Sequence, residues 1–373
     1  MTTPIYRKQI TDPMAWKGED GLTKEDFVFQ LSPVHLAALR EVLGRVQDVP
    51  RDEISAEMSR HPNLDGVLAK VYEELIRGRG LAVIRGIPVG DHPLDQIEKM
   101  YWVVVTHFGE LLSNTSLGHR MVPVQEERLS DGSQALWGTK SRAELAMHND
   151  AGDILGLLCV HEPVSGGQSQ FSSGIAAHNT ILASRPDILP ILYRGFPHHR
   201  RSEQPDDQPD VTPYDVPIFS NNGGKICMNF TYSSIVPARF AQGRTLTDEE
   251  TEALEIVRNT LVRQQVEFEL AAGEIMLANN FAMCHSRSGY VDGDAPDQRR
   301  LLLRVWTELP PEDRRLPMGR EFFHMENEGG RLGYDPVPGR EGRIAVNDYN
   351  DMPEELAKLI LETQVKPTVD QNA

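Results

Sequence analysis

The chain of 373 residues is 39% hydrophobic and 25% charged, a balance that supports a sizeable core and excludes a disordered or collagen-like chain. With 38 basic against 55 acidic side chains the net charge is −17, so the surface repels nucleic-acid phosphates and anionic headgroups and neither is expected as a partner. Cys159, Cys227 and Cys284 are too sparse for a disulfide framework or a thiolate zinc site, the N-terminus has no apolar leader core, and no run reaches the roughly 18 apolar residues of a membrane helix; a cytoplasmic location is expected.

Residues 1–79 read as an arm and helices packed on a larger body. Ser32 followed by Pro33 is an N-cap with proline at the first helical position, and Leu36, Leu39, Leu43 and Val46 then recur on one face. A second helix begins near Asn63, carries Leu64, Leu68, Val71 and Leu75, and ends at Gly78 as its C-terminal cap before the apolar strand Leu81 to Ile84. A third spans roughly Pro93 to Phe108, against the strand preference of Val103, Val104 and Val105.

Residues 80–310 read as the catalytic domain. From about residue 121 short strands alternate with Gly, Asn and Pro turns: Ile154 to Val160 is a continuous apolar run, Gly166-Gly167 a turn, and Asn221-Asn222-Gly223-Gly224 the turn of a hairpin. Thr247 to Glu250 is a capping box that opens a helix through Leu254, Val257 and Leu261. Val266 to Leu270, Ile275 to Ala278 and Leu301 to Trp306 read as strands. Antiparallel strands with one long helical insertion predict an α+β fold with a β-rich core, a barrel or jelly roll rather than a doubly wound sheet. Residues 311–373, rich in Pro, Gly and charge, read as an extension wrapping the core, with a disordered tip near Val369 to Ala373.

Dinucleotide and nucleophile-elbow signatures fail: Gly78-Arg79-Gly80 lacks its third glycine and Gly167-Gln168-Ser169-Gln170-Phe171 its closing one. What remains is His148-Asn149-Asp150, whose i and i+2 side chains share one side of a strand and can reach one metal ion. Alone it is weak, because 12 His and 55 acidic residues give about two such matches by chance; the other, His324-Met325-Glu326, reads as structural. His285, beyond the strand Ile275 to Ala278, offers a third ligand. Arg300 and Arg304, four apart on an apolar strand, share one face and need anionic partners, either an acidic side chain of the protein or a ligand. Two histidines and a carboxylate form the facial triad of non-haem Fe(II) oxygenases, which leaves room for 2-oxoglutarate and O2, with Arg300 available for the distal carboxylate. Other readings of the same residues are a metal-dependent hydrolase and a non-catalytic binding barrel in which the histidines pack.

These motifs, together with Gly166-Gly167-Gln168-Ser169, Ser172-Ser173-Gly174-Ile175-Ala176-Ala177 and Asn279-Asn280, stand in the order seen in the taurine dioxygenase and clavaminate synthase-like Fe(II)/2-oxoglutarate oxygenases, and residues 80 to 307 resemble that family. The resemblance implies a double-stranded β-helix (cupin-like jelly roll) with flanking helices and a helical N-terminal layer. It implies iron on His148, Asp150 and His285, and 2-oxoglutarate on Ser169, Arg300 and Arg304. His285-Ser286-Arg287 is closer to the clavaminate-like branch, and an intact Asp150 argues for oxidation rather than halogenation. Asn114 and Trp137 fall in segments that cover substrate in similar enzymes, although a loop Asn also forms turns and a Trp also packs in cores. The implied reaction is hydroxylation of a small polar molecule, an amino acid or biosynthetic intermediate, with desaturation or cyclisation as alternatives. His107, His161, His178, His198 and His199 read as surface or satisfied residues, Cys284 as core, and self-association stays open.

Overall fold

The structure is a computed structural model that describes residues 3–127, 140–323, 331–337 and 354–364. Its first part runs through β1 (Val28–Gln30), α1 (Pro33–Arg45), α2 (Pro62–Ile76), β2 (Leu81–Arg85), α3 (Leu94–Val105), β3 (Glu110–Leu112) and β4 (Met121–Val124). There follow β5 (Leu145–His148), β6 (Ile154–His161), β7 (Ser165–Gly166), β8 (Ser169–Ser173), α4 (Gly174–Ser184), α5 (Leu189–Arg194), the hairpin β9 (Phe219–Asn222) and β10 (Lys225–Met228), α6 (Tyr232–Ala241) and α7 (Asp248–Arg263). The chain returns through β11 (Val266–Phe268), β12 (Glu274–Asn279), β13 (Met283–Arg287), β14 (Tyr290–Val291) and β15 (Leu301–Glu308), and the last described element is α8 (Glu354–Gln364).

Side chains that alternate between two cores build the larger sheet, ordered β1-β2-β12-β6-β15-β3 with β4 also on β15. Leu81 and Val83, Met276 and Ala278, Leu155 and Cys159, and Leu302 and Trp306 face one core with Phe171 and Met283 of the smaller sheet, ordered β11-β8-β13-β5. Their neighbours Ala82, Ile84, Ile275, Leu277, Ile154, Leu158, Leu301, Leu303 and Val305 face a second core against α1, α2 and α3. Strand β15 thus sends Leu302, Arg304 and Trp306 between the sheets while its other side anchors the N-terminal helices. Gly156 of β6 lets α3 approach, since a Cβ there would lie 2.6 Å from the Tyr101 hydroxyl.

The N-terminal expectations hold with one correction. Gly78 closes α2 with its N–H on the Glu73 and Glu74 carbonyls, both at 3.1 Å, and left-handed Gly80 (φ 75) then turns the chain toward β2. Val28–Gln30 pairs in parallel with β2 as an edge strand, where only helices are expected. Val103, Val104 and Val105 are helical because all three are fully buried, so packing overrides propensity. The capping box is present, with Thr247 Oγ1 accepting from the Glu250 N–H at 3.2 Å. The helices α4, α5 and α6 exceed the single insertion expected, and α8 is a helix within the presumed extended tail. Residues 324–330, which include His324 and Glu326, and the tip from 369 lie outside the described residues. Among the described residues no helix is long and apolar enough to cross a membrane.

Candidate metal and co-substrate site

His148, Asp150 and His285 come together where the smaller sheet ends beneath β15. Each offers one ligand atom, and these atoms lie within 4.8 Å of one another. His285 on β13 is paired with His148 on β5 in antiparallel register, which sets the two imidazoles side by side with centroids 4.2 Å apart. The His148 Nδ1–H donates to the Ala146 carbonyl at 2.9 Å, leaving Nε2 available to a metal, 3.8 Å from Asp150 Oδ1.

Asp150 is not on the strand with His148, which ends β5. Two asparagines place it instead. Asn280 accepts the Asp150 N–H on Oδ1 at 2.9 Å and donates to the Asp150 and Gly152 carbonyls at 2.7 and 2.8 Å. Asn149 donates to the Met283 carbonyl at 3.1 Å and accepts the Phe230 N–H at 2.7 Å. Adjacent Cys284 points away from the triad and donates to Asn149 Oδ1, as expected of a core residue.

The charges suit a divalent cation. Burial alone would raise the Asp150 carboxyl, but the Arg304 guanidinium, then His285, His148 and the Trp306 N–H hold it at about 2. Trp306 Nε1 donates to Oδ2 at 2.9 Å, and Arg304 Nη1 lies 3.4 Å from the same oxygen. Burial lowers His285 to about 3, with His148 adding to it, and lowers His148 in the same direction. At neutral pH the site is one carboxylate with two neutral imidazoles, the protonation state a bound metal requires.

Two cavities meet at Asp150 and Arg304. The smaller runs between the sheets past Ser169, Phe171, Arg287, Arg300 and Leu302. Arg300 is 4% exposed and Arg287 5%, and Arg300 Nη1 and Arg287 Nε and Nη1 have no hydrogen-bond partner among the described residues. Burial lowers both guanidiniums, and the like charge of Arg300 helps to bring Arg287 to about 9. Two buried cations with unsatisfied donors form a cradle for an anion that the described residues do not supply. Left-handed Gly167 (φ 75) completes it, because a Cβ there would press to 3.3 Å from Arg300 Nε.

The larger cavity, about 100 Å³, is lined by Asn114, His198, His199, Arg201, Tyr334 and Gln364 among others. Asn114 Oδ1 accepts from Arg304 Nε at 3.2 Å. Every other candidate lines one or both of these cavities except Trp137, which is outside the described residues. Sequence reasoning assigned no role to Arg287, His198, His199, Arg201 or Gln364. Arg287 carried a signal, being two residues from His285 on a buried strand; the rest sit on loops and a tail helix with no spacing to connect them.

An HxD plus distal His triad beside a buried cationic cavity defines the non-haem iron oxygenase class. Residues 46–306 match the family described as taurine catabolism dioxygenase TauD, TfdA family. The chain belongs to that family, and it is a 2-oxoglutarate-dependent iron dioxygenase that uses O2. This replaces the hydrolase and binding-barrel alternatives. FR-33289 synthase of Streptomyces rubellomurinus (strain ATCC 31215) is 25% identical over 320 residues, covering 82% of this chain and 92% of that protein. Taurine hydroxylase-like protein SAT17 of Stachybotrys chartarum (strain CBS 109288 / IBT 7711) is 25% identical over 357 residues, 88% of this chain and 89% of that one. Among solved structures, asparagine oxygenase with Fe(II), 2S,3S-3-hydroxyasparagine and succinate aligns with a TM-score of 0.59 at 14% identity, over 78% of this chain and 98% of that one. The non-heme iron oxygenase OrfP with Fe and alpha-ketoglutaric acid aligns at 0.54 and 15% identity, over 75% and 94%.

Proposed function

We propose that the protein hydroxylates an unactivated carbon of a small polar, amino-acid-like substrate, with iron on His148, Asp150 and His285 and 2-oxoglutarate in the smaller cavity. The observation that carries this reading is the pair of buried guanidiniums with unsatisfied donors, Arg287 and Arg300, in a cavity that opens on the triad. When bound, iron, 2-oxoglutarate and O2 supply an oxidative decarboxylation to succinate and CO2 coupled to oxidation of a substrate C–H bond.

The chain's own work is positioning. Ala146 turns Nε2 of His148 to the metal, and Arg304 and Trp306 keep Asp150 anionic. Ser169 and Arg300 take the distal carboxylate, while Arg304, which lines both cavities, takes the end nearer the metal. Val124, Leu157, Phe171 and Leu302 line the co-substrate cavity with apolar surface and exclude water. The larger cavity, with Asn114, receives the substrate. Desaturation or cyclisation would use the same ligands; Asp150, in place of a small residue, supports oxidation over halogenation. The two sheets read as the halves of a double-stranded β-helix, with 80–310 as the catalytic unit. Support for an amino-acid-like substrate comes from the hydroxyasparagine and hydroxy-L-Arg bound to the similar folds.

The test is succinate formation in air with Fe(II), 2-oxoglutarate and a panel of amino acids and related metabolites. Substrate-dependent succinate that vanishes in Asp150→Ala is expected. No stimulation by any member of the panel would sink the substrate assignment, and undiminished turnover in Asp150→Ala would sink the ligand assignment.

A further inference from the structure

The loop that follows Asp150 is held by chain that lies outside the region matched to the family, which ends at residue 306. The loop runs against β15 so closely that a Cβ on Gly152 would stand 2.6 Å from Trp306 Cβ. The Asp153 N–H donates to the Thr307 carbonyl at 2.9 Å. The Asp153 carbonyl accepts at 2.8 Å from the N–H of Asn280, the residue whose side chain holds Asp150. Asp153 itself is 1% exposed, and its Oδ2 accepts from the Leu309 N–H and from Arg314 Nε, both at 2.9 Å.

The chain beyond β15 returns to this loop twice. In the first return Arg314, 3% exposed, spans Asp153 and Glu308, donating to the second from Nη2. In the second the Gly333 N–H donates to the Ala151 carbonyl at 2.8 Å. The φ of 77 at Gly333, and the Ser113 carbonyl 2.7 Å from where a Cβ would stand, reserve that position for glycine. Glu308 joins the two returns, since it also accepts the Leu332 N–H at 3.2 Å. A carboxylate and a guanidinium at this depth depend on each other, because removing one leaves the other charge buried and alone. The backbone they fix is the one that presents Asp150 to the two imidazoles.

We infer that Asp153 and Arg314 are positioning residues of the metal centre: through them the chain beyond β15 clamps the Asp150 loop and sets how tightly the triad binds iron. The inference rests on the reading that His148, Asp150 and His285 hold the metal. The neighbouring Arg315 provides the comparison. It is 5% exposed, yet it ties the same segment to the Ile226 carbonyl and to Asp12 of the N-terminal arm, away from the Asp150 loop.

The experiment compares the full chain of the wild type, R314M, R314K and R315M by amide hydrogen exchange of the apoprotein and by anaerobic Fe(II) titration. In R314M the amides of Asp153, Asn280 and Leu309 should exchange about tenfold or more faster. Fe(II) affinity should fall about 10–100-fold. R314K keeps the charge without the planar fork that spans Asp153 and Glu308, so it should recover part of both losses. R315M should lower Tm while leaving the loop amides and the iron affinity at their wild-type values. If R314M does not fold, R314K against R315M makes the same comparison. Wild-type affinity or wild-type exchange in a folded Arg314 variant would overturn the inference, as would an R315M that loses iron as strongly. A wild type that binds no Fe(II) would instead refute the triad reading, and the exchange rates would still decide whether Arg314 clamps the loop.

Discussion

At the residue scale the proposed metal centre depends on side chains outside the triad. Asn280 holds Asp150 by its N–H and carbonyl together. Asn280→Ala should therefore leave the three ligands in place and cost about 10–100-fold in metal affinity, read by Fe(II) titration of the folded variant. Unchanged affinity would show that the Asp150 loop holds itself. The proposed ligands and arginines were legible in the sequence because they flank apolar strands or lie within one: His148 before Ile154 to Val160, His285 after Ile275 to Ala278, and Arg300 and Arg304 in phase on one strand face. His198, His199 and Arg201 were not. They converge through a loop closed by isolated bridges from Phe196 to Val216 and from His199 to Val211, contacts that leave no periodicity to read.

At the element scale β15 does two jobs through one alternation, seating the N-terminal helices with Leu301, Leu303 and Val305 and presenting Arg304 and Trp306 to the site. Its contact with α3 runs through Gly156, where a Cβ would meet Tyr101 Oη at 2.6 Å and Val305 Cγ2 at 2.9 Å. Gly156→Val should destabilise the protein by roughly 1–3 kcal/mol, visible as a lower Tm; an unchanged Tm would mean that α3 gives way freely. The three N-terminal helices and α7 were legible from 3.6-residue periodicity and caps. Helix α8 was not, because a Pro-, Gly- and charge-rich context obscured Leu356 and Ile360, four residues apart and both buried. Helix α4 opens on Gly174 and sets His178, Asn179 and Thr180 in one run among its apolar residues, so it carries no amphipathic signature.

At the scale of the whole molecule, an acidic exterior encloses a cationic, histidine-lined interior, and acid should unfold it through those histidines. Burial lowers His178 to about 4, and burial with the charge of Arg201 lowers His199 to about 4. An imidazole in the unfolded chain titrates near 6.5, so as pH falls below that value the unfolded state takes up protons that the folded state refuses. Stability should be complete above pH 6.5 and fall toward pH 4, by on the order of 3 kcal/mol for each such histidine at full extent. Urea midpoints of the apoprotein at neutral and mildly acidic pH test this, and a flat profile would contradict it. The central claim is that two buried arginines await a dicarboxylate beside an iron triad. It is tested most directly by anaerobic titration with Fe(II) and then 2-oxoglutarate in the wild type and in Arg300→Ala. The account predicts stoichiometric iron in both and a charge-transfer band that forms in the wild type and is lost in the variant; iron bound without a band in the wild type, or a band of equal affinity in both, would contradict it.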